Sequence, residues 1–399
     1  MPITTTKTCT GCFACVNICP HTCISVITDE EGFYYPHINT DTCVNCNLCN
    51  LVCTKEQLKQ VKYPAIILGC RVIKDSDLNS SSSGGMFGLF ATAFLKSGGR
   101  IFAARFNEEN KVYHDEIKDL SELAFYRRSK YSQSYLGDVF KRVKDRLKDG
   151  IRVLFVGTPC QVAGLLAFLR KSYPTLYCID FVCHGVPSPG VWKEYLKTLG
   201  PGISNISFRD KETGWPNYSF SYIQDNVKHR QTASQNPYMR GFLHDLYLRP
   251  SCYDCKFKGF TSGADITMSD FWGVWKNHPK WNDQRGAGVL AINSNKGEQL
   301  LKMIDKKEYE EVDVTVQQAY IDYNCSAYKC APHNPKREIF FSRYGKEPLV
   351  PLIMELSKDP ILVQIKNIIS KIKHKIGIKA CYQALKYSFS FINKKIHGK

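Results

Sequence analysis

From about residue 60 onward, short β-rich apolar runs alternate with glycine-containing turns and with stretches whose apolar positions recur at helical spacing. Residues 63–69 read as a strand, residues 80–85 as a polar serine and glycine loop, and residues 86–95 as an apolar helix. Residues 151–156 read as a further strand, 157–160 as a turn and 161–171 as a helix. The unit then repeats, with an apolar run at 176–182, a turn at 183–187 and a helix over 191–199. This alternation predicts an α/β domain. If the two strands are parallel neighbours joined by a right-handed crossover, Cys160 and Cys183 emerge together at the carboxyl edge of the sheet, where open α/β folds bind ligands.

The first 60 residues follow a different rule, set by cysteine. Cys9, Cys12, Cys15 and Cys19 form one CxxCxxCxxxC run, and Cys43, Cys46, Cys49 and Cys53 form a second, offset by 34 residues. That spacing is the thiolate pattern of proteins carrying two 4Fe-4S clusters: three cysteines on one tight loop reach three irons of a cubane, and the fourth serves the other cluster. On this logic Cys9, Cys12, Cys15 and Cys53 hold one cluster, and Cys43, Cys46, Cys49 and Cys19 the other. Pro20 follows Cys19, whereas Thr54 follows Cys53. Zinc knuckles are the competing reading, although zinc sites usually use two separated CxxC pairs. Cys23 lies outside the pattern and reads as a small buried apolar side chain.

A third set of thiols is assembled from distant segments. Cys160 and Cys183 end successive strands, and Cys252 and Cys255 supply a CxxC pair. Together they make four thiolates, enough for a third 4Fe-4S cluster, with zinc as the closest competitor. Alternatively, Cys160 at a helix start is a low-pKa nucleophile with His184 as its base, a reading that leaves the CxxC pair unexplained. Cys70, Cys178, Cys325, Cys330 and Cys381 show no ligand spacing. The serine and glycine loop before the helix at residue 86 is suited to cradling the pyrophosphate of a flavin or nicotinamide nucleotide, and equally to serving as an ordinary N-cap.

Composition narrows the setting. Eighteen cysteines, with no apolar leader in the first residues and no apolar run of the ~18 residues that span a bilayer, point to a reducing, cytoplasmic compartment. The formal charge of +17 calls for acidic redox partners, phosphorylated cofactors, an anionic membrane surface or nucleic acid. No nucleic-acid-binding motif accompanies the charge, so no nucleic acid partner is expected. Part of the excess lies in residues 358–399, where Ile, Leu and Phe alternate with Lys at loosely helical spacing. This tail reads either as a peripheral contact with anionic lipid or a partner, or as a solvated helix face.

Several ordered motifs carry a family resemblance: SSSGG at 81–85, SKYSQS at 129–134, VLFVGTPCQVAGL at 153–165, FVCHGVPS at 181–188, FRDK at 208–211 and SDFWG at 269–273. The chain resembles the beta subunit family of coenzyme F420 reducing hydrogenases and dehydrogenases, in the version with an N-terminal two-cluster ferredoxin. The resemblance runs from the first cysteine to about residue 290. It implies a flavoprotein that binds FAD and exchanges electrons between the flavin and iron-sulfur clusters, and it places Cys160, Cys183, Cys252 and Cys255 at the family's motif positions. Ser82, Ser83, Gly84 and Gly85, with Ser129, Lys130 and Tyr131, are the candidate FAD contacts, and Arg128 lies beside them. Lys130 is suited to neutralising phosphate or a reduced anionic flavin. Trp215, Trp272 and Trp275 are pocket or core residues, Asp265 and Asp270 order the strand between them, and no catalytic residue is identifiable.

The expected architecture is α+β or α/β: a ferredoxin-like domain over residues 1–60, a mixed α/β flavin-binding domain over 61–345 and a basic helical tail over 346–399. The expected function is an iron-sulfur flavoprotein oxidoreductase exchanging hydride with coenzyme F420 or another organic substrate, in contact with a redox partner protein or acidic ferredoxin. The alternatives are a non-catalytic electron-transfer subunit serving a separate catalytic partner, and a zinc-bearing binding module.

Overall fold

The computed structural model describes residues 7–54 and 60–358. The N-terminal part pairs two short strands, β1 (Ile24–Thr28) and β2 (Tyr34–Ile38), as an antiparallel hairpin. Two one-turn helices, α1 (Ala14–Ile18) and α2 (Leu48–Leu51), each lie within a cysteine run and pack on one another. Phe13 and Asn47, the residues before these helices, both adopt positive φ. The chain must turn sharply there to bring successive thiols round to one point.

The larger part is built on an eight-stranded sheet in the order β13-β3-β12-β11-β7-β6-β4-β5. Its strands are β3 (Ile66–Val72), β4 (Arg100–Phe106), β5 (Val112–Ile117), β6 (Val153–Val156), β7 (Leu176–Phe181), β11 (Ile266–Asp270), β12 (Gly288–Ile292) and β13 (Tyr309–Asp313). The antiparallel strands β8 (Ser204–Asp210), β9 (Ser219–Gln224) and β10 (Val227–Thr232) form a separate three-stranded sheet. The middle of the large sheet is parallel, β4 to β6 to β7 to β11, and antiparallel strands flank it on both sides. Parallel strands need both faces covered. Apolar clusters accordingly fill both faces, one around Phe90, Phe94, Leu154 and Ile179, the other around Phe155, Val162, Leu165 and Phe168.

The strand and helix boundaries shift by a few residues from those read in the sequence. The first strand runs over Ile66–Val72, because Pro64 cannot donate to a ladder. The helix α3 (Asp75–Asn79) precedes the serine loop, and α4 (Met86–Lys96) follows it. After α5 (Leu123–Tyr126) and α6 (Val139–Lys148), the helix α7 spans Pro159–Leu169 and starts earlier than its apolar spacing suggests. Proline at its start and a Thr158–Gln161 capping box together define that end. Cys160 therefore lies within the first turn of α7 rather than before it. The helix α8 (Pro189–Leu199) completes the repeated unit.

The helix Leu349–Leu356 buries Leu349, Leu352, Ile353 and Leu356 against Pro237–Leu243 and α8. The described part of the segment beyond residue 345 is thus packed into the α/β domain. Residues 359–399, which hold most of the basic tail, lie outside the described residues.

The N-terminal part is docked firmly on the sheet domain. Gly164 of α7 faces Cys12 so closely that an added Cβ would lie 2.8 Å from Cys12 Cβ. Gly32 and Gly190 touch backbone to backbone, and Ser188 Oγ donates to Glu31 O at 2.5 Å. Arg337 is buried and grips Glu31 with both terminal nitrogens.

Candidate functional site

Each N-terminal thiol group is completed by a cysteine from the other run. Cys53 lies close enough to Cys12 and Cys15 to raise their pKa values, as does Cys9. Burial is the larger cause, and it pushes the Cys12 thiol up to about 11. On the other side, Cys19 and Cys23 share a small cavity with Cys43, Cys46 and Cys49. Cys23, read from spacing as an isolated apolar side chain, stands with its sulfur 3.3 Å from that of Cys19. Buried thiols resist ionisation without a counter-cation, and a bound iron centre supplies one. The donor chemistry of both groups therefore suits iron-sulfur ligation.

Cys160, Cys183, Cys252 and Cys255 line one cavity of about 50 Å³. β6 and β7 are parallel neighbours in register, so the turns after them open on the same edge. The turn Pro250–Cys252 brings the third thiol, whose sulfur accepts from Val186 N at 3.4 Å. Burial lifts Cys183 to about 12 and Cys252 to about 11, and it raises Cys160 as well. A thiol so raised is not an activated nucleophile. His184 is engaged elsewhere, with Nε2 2.5 Å from Asp245 Oδ1, and does not serve as a base for Cys160. Among the described residues no three His, Cys, Asp or Glu side chains close around a single point as one metal ion would require. Cys330, which shows no ligand spacing, accepts from Cys255 N at 3.2 Å and stands directly behind this group.

A second cavity of about 520 Å³ adjoins the first and shares Cys160, Cys183, His184, Val186 and Thr10 with it. Its size is that of a cofactor site. Ser82–Gly85, Ser129–Ser134, Gly157–Gln161, Phe181–Pro187, Arg209 and Ser269–Trp272 all contribute to its wall, so every motif behind the family resemblance reaches it. The convergence follows from sheet order. β6, β7 and β11 end at this edge, and β12 runs antiparallel to β11, which puts its first residue, Gly288, there too. Gly84 is wedged against Gly288 and β3, where a Cβ would fall 2.3 Å from Cys70 O.

Two helix N-termini face this cavity, and they differ. The amides of α7 are served by its capping box, whereas α4 begins at Gly85 with φ +87° and no side-chain cap. The first-turn amides of α4 are the donor set suited to a phosphate anion. Ser82 Oγ accepts from Ser129 N at 2.8 Å, which joins the two candidate segments and leaves its hydroxyl proton available. Ser83 is already engaged, because its hydroxyl donates to Ala287 O at 2.8 Å.

Lys130 lines the cavity with the other candidate contacts and has backbone partners as well. Its ammonium is buried and donates to the carbonyls of Tyr126, Arg127 and Arg128 at 3.3, 2.9 and 3.1 Å. Burial pulls its pKa down to about 7. Through these bonds it shapes the loop that presents Arg128 and Ser129. Lys211 acts similarly on the serine loop, donating to Leu78 O, Ser83 O and Arg285 O at 2.6, 3.0 and 2.7 Å.

The far wall is aromatic. Tyr131 stacks on Phe242 at 4.7 Å, and Trp272 stacks face to face on buried Trp215, also at 4.7 Å. Trp275 is exposed. Arg209 is buried over the Tyr218 ring and pairs with Asp270 at 3.0 Å, which gives Asp270 its role. Asp265 instead ties β7 to the chain after β12, accepting from Cys178 N at 2.8 Å and Ser294 Oγ at 2.6 Å. His114 also lines the cavity, although its sequence setting gave no sign of it. Val156 O lies 3.0 Å from His114 Nε2 and can only accept, so Nδ1 accepts from Ser134 Oγ at 2.6 Å. Burial holds this imidazole neutral, with its pKa lowered to about 4.

Residues 150–317 match the family model for the C-terminal part of the coenzyme F420 hydrogenase/dehydrogenase beta subunit, and residues 8–56 match the model of a 4Fe-4S dicluster domain. The chain thus joins a segment similar to the C-terminal part of that subunit to a 4Fe-4S dicluster domain, which makes it an iron-sulfur protein. The F420-reducing [NiFe] hydrogenase complex from Methanosarcina barkeri is a structural neighbour at 11% identity and TM-score 0.43, with 80% of this chain and 95% of that chain covered. No curated protein matches the chain. Among the described residues no helix is long and apolar enough to cross a membrane.

Proposed function

We propose that this chain is an iron-sulfur flavoprotein oxidoreductase that passes electrons between its N-terminal clusters and an FAD, which exchanges hydride with coenzyme F420 or another organic carrier. The observation that carries this reading is the shared wall between the 520 Å³ cavity and the cavity ringed by Cys160, Cys183, Cys252 and Cys255. A cofactor-sized space and a set of four thiols in contact are what electron exchange between a flavin and a cluster requires.

The residues present suit both groups. The first-turn amides of α4 and the Ser82 hydroxyl would hold the pyrophosphate, and Tyr131, Phe242 and Trp272 would wall the ring system. The four core thiols would hold a third 4Fe-4S cluster, and the N-terminal runs the other two. Bound there, a flavin supplies the conversion between two-electron hydride exchange and single-electron steps. The chain contributes position, a largely apolar wall and exclusion of water. Thr10 of the first cysteine loop lines both cavities, which supports passage of electrons from that loop inward. The exposed Cys46, beside the exposed Val44, is the point at which a redox partner protein would meet the second N-terminal group.

The test is an anaerobic inventory of iron, acid-labile sulfide, zinc and extracted flavin, followed by addition of oxidised coenzyme F420 to the reduced protein. About twelve irons and one FAD per chain are expected, from three four-iron clusters. About eight irons without flavin, or zinc in place of iron, would remove the flavin-linked enzyme.

A further inference from the structure

We propose that Arg249 is a positioning residue for electron exchange, which holds the first cysteine loop against the core thiols and keeps a permanent positive charge between the two groups. The inference rests on the reading of both groups as cluster ligands.

Arg249 directly precedes the turn Pro250–Cys252, and its backbone belongs to the core site. Its N–H donates to Val186 O at 2.8 Å, and its carbonyl accepts from Cys252 N at 2.9 Å. Its side chain runs the other way. Nε donates to Cys9 O at 2.7 Å, and Nη1 donates to Tyr34 O and Gln133 Oε1, both at 3.1 Å. The guanidinium lies 4.0 Å from the Tyr35 ring centroid and 5.5 Å from that of Phe33. One residue thus spans from the backbone of a core ligand to the backbone of an N-terminal ligand.

The charge is the second part of the argument. Arg249 is 1% exposed, and among the described residues its Nη2 has no hydrogen-bond partner. Among the described residues no carboxylate lies within 4 Å of it, although Asp29, whose Oδ1 accepts from Phe33 N at 2.7 Å, is near enough to attract it more weakly. A buried cation without a contacting counter-ion is costly. A four-iron centre held by four thiolates is net anionic and becomes more so on reduction, so a centre on either side of Arg249 supplies what the guanidinium lacks. Arg249 acts on a one-electron exchange in which the N-terminal centre is oxidised by one electron and the core centre reduced by the same electron. No bond forms or breaks, and no proton moves. By favouring the reduced form on both sides, Arg249 raises both reduction potentials together and leaves the difference between them little changed.

The experiment uses the full-length chain, purified anaerobically, as wild type, Arg249→Gln, Arg249→Met and Arg249→Lys. Iron is counted first, and each centre is then titrated potentiometrically with dithionite and followed by electron paramagnetic resonance. A unit charge removed from ~10 Å at an effective dielectric of about 20 changes a reduction equilibrium by roughly tenfold. Both neutral variants should therefore make the two flanking centres harder to reduce by about that factor. The centre at Cys43, Cys46 and Cys49 should stay unmoved, and Arg249→Lys should keep wild-type potentials. Loss of iron by both neutral variants, with Arg249→Lys intact at wild-type potentials, supports the same conclusion. Three centres with unshifted potentials, equal shifts in all three, a fall in Arg249→Lys as large as in Arg249→Gln, or iron loss in every variant would each overturn it. A wild-type count of about eight irons would instead remove the core centre, and that result is read before any variant is made.

Discussion

Replacing Gly164 by alanine tests the docking of the N-terminal domain in a way that reverses the usual expectation. Gly164 lies in the middle of α7, where glycine costs about 1 kcal/mol relative to alanine, so Gly164→Ala should ordinarily stabilise the helix. Here the added Cβ would meet Cys12 Cβ at 2.8 Å, Cys12 Sγ at 3.0 Å and Cys12 O at 3.4 Å. Cys12 cannot swing aside without leaving Cys9, Cys15 and Cys53. Overpacking a constrained contact costs about 1–3 kcal/mol, so the net effect should be a loss of up to about 2 kcal/mol, borne by the interface rather than by the helix. Because two domains need not unfold together, a single midpoint is not the right readout. The visible iron-sulfur absorption should be followed against urea under anaerobic conditions beside the far-ultraviolet helix signal. The expected result is earlier loss of the N-terminal chromophore, with the helix signal retained. An alanine variant at least as resistant as wild type in both signals would show that α7 does not need a bare backbone against Cys12.

Further outcomes bear on the site itself. Cys252→Ala should lower bound iron by about a third while the N-terminal centres persist, and unchanged iron would refute its assignment as a ligand. Gly84→Ala would drive a Cβ into Cys70 O at 2.3 Å and Gly288 N at 2.5 Å, displacing the loop before α4. Flavin binding should weaken by roughly tenfold or more, as measured by fluorescence on reconstitution, for a displacement costing about 1.4 kcal/mol. His114 has its folded pKa lowered to about 4 from 6.5, so the unfolded chain binds the extra proton between those values. Stability should therefore fall as pH drops from about 6.5 to 4, by about 3 kcal/mol from this residue. Asp180 is raised to about 6 by burial and contributes the opposite slope, so the measurement is the difference between wild type and His114→Phe across that range. An unchanged slope in His114→Phe would count against a neutral buried imidazole.

Local chemistry was the most legible part of this protein. The cysteine runs could be paired across because three thiols on a tight loop exhaust the reach of that loop, a constraint that needs no knowledge of the fold. The two strand, turn and helix units were equally readable, because apolar period and turn residues are local quantities. Boundaries moved where single residues had the stronger effect: Pro64 delays β3, and the Thr158–Gln161 capping box starts α7 before its apolar face begins.

Side-chain roles were harder to read, because they depend on which groups already have partners. Lys130 stands beside a serine-rich segment, and no local pattern shows that its ammonium also donates to three carbonyls. Cys23 and Cys330 have no ligand spacing, yet both touch ligand candidates: Cys23 through the turn after Cys19, and Cys330 because the chain after residue 325 returns to Cys255.

By itself, the sequence determined that this chain carries two 4Fe-4S binding runs ahead of an α/β domain, because ligand spacing and apolar period act over a few residues. Only the tertiary structure decided that the separated motifs meet in one cavity, that this cavity touches the core thiols, and that Arg249 stands between those thiols and Cys9. Each of these depends on sheet order and on the docking of two domains, where contacts join residues as far apart as Cys9 and Arg249. No local pattern encodes such a distance.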